Sequence, residues 1–307
     1  MPSDEPPTAH AVSLADVGRF AATLGMDSRD VRLLRAHGSG IYLLPYEQAV
    51  IRTAQDTDEN RARAKVAVEV TAWLGEKGFP VIEPLHPEPV ERGGIVATVW
   101  RYLPQPHGAP RPPVAVLGHL IRDLHALPPA PLSLPAADPL RRLRRALAVD
   151  RRRGQPALSN DQHDWLVRKA ATLNTRYETL TFPLGTGLIH NDAHAGNLLV
   201  DSRRPLGYVL GDWESACYGP REIDLVPDGA PDNRFGLPEE QRRQFSDAYG
   251  YDLALWPDWP VLREIRDLHA LASHLRVAPI KPAAHVELQH RLRMLMTGAR
   301  VPWHRIA

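Results

Sequence analysis

The sequence predicts an α+β fold, with strands gathered first and helices after. Three observations carry this reading. Short apolar and β-branched runs crowd the part before about residue 100: Leu33-Leu34, Ile41-Tyr42-Leu43-Leu44, Val50-Ile51 and Ile95-Val96. From Val114 onward apolar residues recur at helical spacing, as in Leu117, Leu120, Ile121 and Leu124. Between helical stretches, Leu188-Ile189, Leu198-Leu199-Val200 and Tyr208-Val209-Leu210 read as three buried strands that hold a polar turn.

Taken in order, the chain opens on a helix. Ser13 with Asp16 has the form of a cap, and Leu14, Val17, Ala21 and Leu24 keep one face up to Gly25. Two β-like runs follow within 33–44, around Gly38-Ser39-Gly40, and 48–52 is a third strand ending in Arg52. From 58 to 74 a helix carries Ala62, Val66, Val70, Trp73 and Leu74 on a stripe that also takes in Glu69. A carboxylate there is costly without a cation, which makes Arg52 its natural partner; the alternative puts Glu69 at the edge of the stripe, in solvent. Gly78-Phe79-Pro80 ends that helix, and a long strand over 94–103 runs into a proline-rich turn. The helix over 114–127 leaves Asp123 and His125 as surface or packed positions. Over 139–153 Leu140, Leu143 and Leu147 sit among seven arginines, so the charge reads as a solvated helix face. From 201 to 270 there are 14 acidic and 8 basic residues among aromatics such as Tyr218, Tyr249 and Trp256. This is either a wall for a cationic or polyhydroxylated ligand or an ordinary helical lobe. An amphipathic helix over 286–296 closes the chain.

Composition narrows the class. At 307 residues the chain can bury a core in one bilobal unit or two modest domains, and 43% apolar with 24% charged residues is ordinary for a globular protein. A net charge of +1 argues against a nucleic-acid partner. The single cysteine, Cys217, allows no internal disulfide. Met1-Pro2-Ser3-Asp4-Glu5 lacks the basic start of a signal peptide, and no apolar run approaches the roughly 20 residues of a membrane span. A soluble, cytoplasmic chain with no membrane partner is expected, its oligomeric state left open. The 30 prolines cluster between elements and mark boundaries.

The polar turn carries the chemistry. His190-Asn191-Asp192 through Asn197 has the spacing H-x-D-x-x-x-x-N, and Asp212 follows one strand later. Phosphoryl transfer from a nucleotide needs that set. Asn197 and Asp212 are hard oxygen ligands for magnesium, Asp192 is a carboxylate that orients an acceptor hydroxyl and takes its proton, and His190 is a packed brace. Two rival readings use the same stretch: His190, Asp192 and His194 as ligands of a metal-dependent hydrolase, or a satisfied polar turn.

These residues resemble the aminoglycoside phosphotransferase and choline kinase family, which shares the protein kinase fold. Protein kinases have H-R-D-x-x-x-x-N and D-F-G where this chain has His190-Asn191-Asp192 through Asn197 and Asp212-Trp213-Glu214. Gly196 before Asn197, and Asp-Trp-Glu, point to the small-molecule branch, as does Tyr218-Gly219-Pro220 through Asp224-Leu225. Asn191 is a departure, since that branch usually has Gly. The resemblance implies a bilobal protein-kinase-like fold: a small antiparallel β-sheet lobe over 1–100 that binds nucleotide, and a larger, mainly α-helical lobe over 101–307 with the catalytic loop and acceptor site.

It also implies roles. Gly38, Ser39 and Gly40 would approach the phosphates, although a plain hairpin turn reads the same locally. Arg52 would grip phosphate and pair with Glu69. Trp100 and Tyr102, in the segment 100–103, would meet the adenine. Asp224 would be a buried carboxylate that braces the catalytic loop. The expected cofactors are ATP or GTP and Mg2+, and the partners are a nucleotide and a small-molecule hydroxyl acceptor. An aminoglycoside-like or other antibiotic alcohol is the first acceptor; an amino alcohol, sugar, amino sugar or homoserine-like metabolite is the alternative. A nucleotide-binding module without catalysis is the reading from another class.

Overall fold

The protein is described by a computed structural model over residues 12–36, 39–106, 108, 110–232 and 234–304. Along the chain run α1 (Leu14–Thr23), β1 (Arg32–Ala36), β2 (Gly40–Leu44), β3 (Ala49–Gln55), α2 (Asp58–Glu76), β4 (Val90–Arg92), β5 (Ile95–Arg101) and α3 (Val114–His125). Then come α4 (Arg141–Arg151), α5 (Asn160–Glu178), β6 (Thr186–Ile189), β7 (Leu198–Val200), β8 (Tyr208–Leu210), β9 (Cys217–Pro220), α6 (Glu222–Gly229), α7 (Glu239–Tyr249), α8 (Trp259–Val277) and α9 (Pro282–Thr297). They form two compact units, each discontinuous in sequence. The first reaches to Pro112, beyond a boundary near residue 100, and takes in Leu127–Leu134 and Gly196–Ala216; the second holds the rest.

In the first unit β1 to β5 form an antiparallel sheet in the order β1-β2-β3-β5-β4. Strand alternation sends Ala49 and Ile51 into a core with Tyr42, Leu44, Val99 and, from α1, Val17 and Phe20. It turns Arg52 to the opposite face. The Ser13 hydroxyl accepts the Asp16 amide at 3.1 Å and caps α1 as its sequence predicts.

The buried residues of α2 are Ala64, Ala67, Val68, Val70, Thr71, Trp73 and Leu74: Val70, Trp73 and Leu74 lie on the face that the sequence predicts, whereas Ala62 is exposed and Val66 half-buried. Thr71 joins the buried face because its hydroxyl donates to Ala67 O at 2.7 Å, which satisfies a polar side chain inside the core.

The β7–β8 hairpin is tied to the same unit by backbone. Leu210 donates to Pro80 O (3.0 Å), and Leu210 O accepts from Ile82 N (3.3 Å) and the Trp213 indole (2.9 Å). Trp213 meets Phe79 edge-on, ring centroids 6.0 Å apart.

In the second unit α3 buries Leu117, Leu120, Ile121 and Leu124, each worth about 1.5–3 kcal/mol on removal from water. It packs on α7 through Gly118, where a Cβ would come within 2.6 Å of Phe245 O. Helix α8 contacts α4, α5, α6 and α9, and β6 pairs antiparallel with β9. On α4 Leu143 and Leu147 are buried while Arg141, Arg144, Arg145 and Arg151 are exposed, so most of the arginine run is a solvated face. No helix among the described residues is long and apolar enough to cross a membrane.

Candidate active site

In the first unit, Gly38 lies outside the described residues. Ser39 and Gly40 lead into β2, and a Cβ on Gly40 would run into the ring of Tyr42, whose hydroxyl is fixed to Val12 O at 2.6 Å. Packing alone therefore requires glycine at position 40.

Arg52 on β3 lies between two carboxylates. Its Nη1 donates to Asp212 Oδ1 at 2.9 Å, and its Nε is 2.8 Å from Glu214 Oε1, an ion-pair contact without the alignment of a hydrogen bond. Arg63 of α2 donates to the other Glu214 oxygen at 2.9 Å. Burial works against the Arg52 charge, but Glu214 and Asp212 outweigh it and hold its pKa above the ordinary value. The expected Arg52–Glu69 pair is corrected here: Arg52 is taken by Asp212 and Glu214, and Glu69 is 37% exposed at the edge of the buried face of α2, 3.7 Å from Lys65.

Asn197 and Asp212 stand at the same end of the β7–β8 hairpin, where Gly211 N donates to Asn197 O at 2.9 Å. Asp212 is left-handed, φ 64°, a conformation a short polar side chain tolerates. Trp100 pairs with Val50 across the sheet and its indole donates to Thr98 Oγ1 at 2.8 Å. The Tyr102 amide is given to Gln48 O at 2.8 Å.

In the second unit, two acids one turn apart on α6 gather the backbone of the loop after β6. Asp224 accepts from the amides of His190 (2.7 Å) and Asn191 (2.6 Å), and Asp228 accepts from that of Ala195 (2.7 Å). Asp224 has no exposed surface, and His125 Nε2 lies 3.2 Å from it while His125 Nδ1 meets the Tyr249 hydroxyl at 2.9 Å. Charge-assisted bonds of this kind satisfy a buried carboxylate. Asn191 is left-handed, φ 63°, which explains how it stands where the resembling family usually has Gly. His190 is fully buried, its Nδ1 3.3 Å from the Asp192 amide.

The Asp192 carboxylate accepts from Arg266 Nη2 of α8 at 2.6 Å. Burial opposes its charge, yet the Arg266 guanidinium, with His194, holds the carboxyl well below the usual carboxylate range. Burial pushes the His194 imidazole down, so it is mainly neutral at pH 7; its buried Nδ1 finds no hydrogen-bond partner among the described residues. Beside these groups is a cavity of about 230 Å³, lined by His194, Val226, Asp228, Phe235, Arg263 and Arg266 among others.

Sequence reasoning missed Arg63, Asp228, Arg263 and Arg266 and assigned Glu214 no role. Asp228 had a signal, four residues after Asp224 on a helix and so on the same face. Glu214 and Arg63 had none, being 151 residues apart. The rival metal set of His190, Asp192 and His194 does not form: among the described residues the cluster spaced to hold an ion is Glu287, His290 and His304.

Comparison with known proteins defines the class. The profile of the phosphotransferase enzyme family matches residues 23–265. The chain therefore belongs to this family and is a phosphotransferase with a hydroxyl acceptor. No match emerges among curated protein sequences. Among solved structures, a choline/ethanolamine kinase family protein from Mesorhizobium loti is similar with TM-score 0.63 and 19% identity, over 92% of this chain and 95% of that one. A microcompartment-associated aminopropanol kinase gives 0.63 and 16%, over 93% and 98%. Spectinomycin phosphotransferase, solved with ADP and spectinomycin, gives 0.61 and 14%, over 95% of each. The fold is the protein-kinase-like one that the sequence predicts.

Proposed function

We propose that the protein is a magnesium-dependent kinase that moves the γ-phosphate of ATP or GTP to a hydroxyl of a small molecule. The observation that carries this reading is Asp192, a carboxylate on a loop whose amides are pinned by Asp224 and Asp228. In it, Asp192 orients the acceptor hydroxyl and takes its proton while the oxygen attacks the γ-phosphorus. The bond to the bridging oxygen breaks and a nucleoside diphosphate leaves. Arg52 grips phosphate with its fork of donors, the turn at 38–40 approaches the same phosphates, and Trp100 and Tyr102 lie on the base side. His190 and Asp224 support the loop. Asn197 and Asp212, hard oxygen donors at one end of one hairpin, fit Mg2+, which would neutralise phosphate charge there.

The similar structures bear on both acceptor classes left open by the sequence, the aminoglycoside-like antibiotic and the metabolite alcohol. Arg263 and Arg266 on the cavity wall favour the second, since a polycation would meet two guanidiniums beside Asp192. The test is a screen of the purified protein with MgATP and MgGTP against amino alcohols, sugars, hydroxy acids and aminoglycosides, read as the mass gain of one phosphoryl group. Asp192→Ala should lower transfer by about 10²–10⁴-fold while nucleotide still binds. Retained turnover would remove Asp192 from the reaction. Nucleotide binding with no transfer to any acceptor would favour the non-catalytic module.

A further inference from the structure

We propose that the acceptor is an alcohol carrying an acid group, a carboxylate or a phosphate ester, and that Arg263 and Arg266 hold that group beside Asp192. This rests on the kinase reading above and names its substrate class.

The cavity next to Asp192 has three guanidiniums on its wall, Arg234, Arg263 and Arg266. They are not equivalent. Arg234 is engaged: its Nε donates to Asp267 at 3.2 Å and its Nη1 to Ala299 O at 2.7 Å. Of the two acids on the wall, Asp267 is held by that pair and Asp228 by the Ala195 amide. Arg263 lies close enough to Asp267 for its charge to favour the ionised carboxylate. Its Nε and Nη1 are buried and find no hydrogen-bond partner among the described residues, although the guanidinium lies 5.5 Å from the centre of the Trp259 ring.

Buried donors left without acceptors are costly, and a ring face supplies no oxygen. An anion in the cavity would supply two, in the parallel geometry that suits a guanidinium. Arg266 is three residues further along α8 and so on the same face, and it reaches Asp192 at 2.6 Å. An acid group taken by both arginines is thereby delivered next to the carboxylate that must receive the hydroxyl proton. The neutral His194, with its own unpartnered Nδ1, is left for a hydroxyl or amine of the same molecule.

The arrangement has a further consequence for the proton. While Arg266 is devoted to Asp192, that carboxylate is a poor base. An acceptor that brings its own negative charge competes for Arg266 and raises the basicity of Asp192 as it binds. A cationic acceptor does the reverse.

The test uses the full chain in thermal-shift titrations without nucleotide, then in turnover with MgATP and MgGTP. Glycerate, serine and homoserine are set against their uncharged or cationic counterparts glycerol, serinamide and ethanolamine, and glycerol phosphate separates phosphate esters from carboxylates. The expected result is that at least one acid raises Tm and is phosphorylated with kcat/KM at least about tenfold above its counterpart, one good hydrogen-bonded charge pair being worth roughly that factor. Arg263→Met should weaken acid binding by a similar factor, and Arg263→Lys should restore part of it. Binding or transfer confined to neutral and cationic alcohols, or no Tm shift with any acid, overturns the inference and leaves the kinase reading intact. The kinase reading fails separately, if acids bind the cavity yet no member of the panel is ever phosphorylated.

Discussion

His269, on α8 one turn after Arg266, shows how much a single side chain in this site depends on its surroundings. Burial first, then Arg266 and Arg142, pushes its imidazole from 6.5 down to about 4. In the unfolded chain the ring takes a proton near 6.5, so between these values the unfolded state binds more protons. The native state should therefore lose stability as the pH falls from about 6.5 towards 4, by on the order of 3 kcal/mol, and gain nothing above that window. Tm measured across pH 4–7 should slope less in His269→Gln than in the unaltered protein; equal slopes would show that this ring is not responsible. Residues of this kind were the least legible in the sequence. Asp192, Asn197 and Asp212 could be proposed because their spacing matches the chemistry, and Asp224 only through the family resemblance. Arg266, Arg263 and Arg63 look like surface charges on amphipathic helices, and only their neighbours from distant segments give them a role.

Among the elements, α3 and α7 depend on one missing methyl group. Alanine is a better helix former than glycine by about 1 kcal/mol, so Gly→Ala in a helix ordinarily stabilises. At Gly118 the new Cβ would meet a backbone carbonyl at 2.6 Å, which cannot yield without moving α7. Overpacking of that kind costs about 1–3 kcal/mol and should exceed the propensity gain, so Gly118→Ala is expected to lower Tm by a few degrees. Gly75 in α2 is the internal control, with nothing within 4 Å of its Cβ position. Gly75→Ala should leave Tm unchanged or raise it. The same contrast explains what periodicity could find. It located α1, α3 and four of the five strands of the sheet, but not the short β4. On α2 it found Val70, Trp73 and Leu74 but missed Thr71, because a hydroxyl bonded back to its own helix buries as readily as a valine, and it set Glu69 too far into the stripe.

For the molecule as a whole, the proposed reaction depends on magnesium. Removal of divalent ions with EDTA should abolish transfer, and nucleotide should then raise Tm less than it does with Mg2+ present, since stabilisation follows affinity. Added Mg2+ should restore both. An equal Tm shift with and without Mg2+ would take Asn197 and Asp212 out of metal binding. The order of elements was legible at this scale, but the partition was not: a cut near residue 100 is where strands give way to helices, whereas backbone bonds from Leu210 to Pro80 and Ile82 bring a later hairpin back to the early sheet. That return has a practical meaning for anyone dividing the gene. A fragment that stops at Pro112 would encode the five-stranded sheet and Arg52 but neither Asn197 nor Asp212 at the open end of that hairpin. The sheet unit thus cannot be lifted from one end as a portable cassette, and any transplant must carry Gly196–Ala216 along with it.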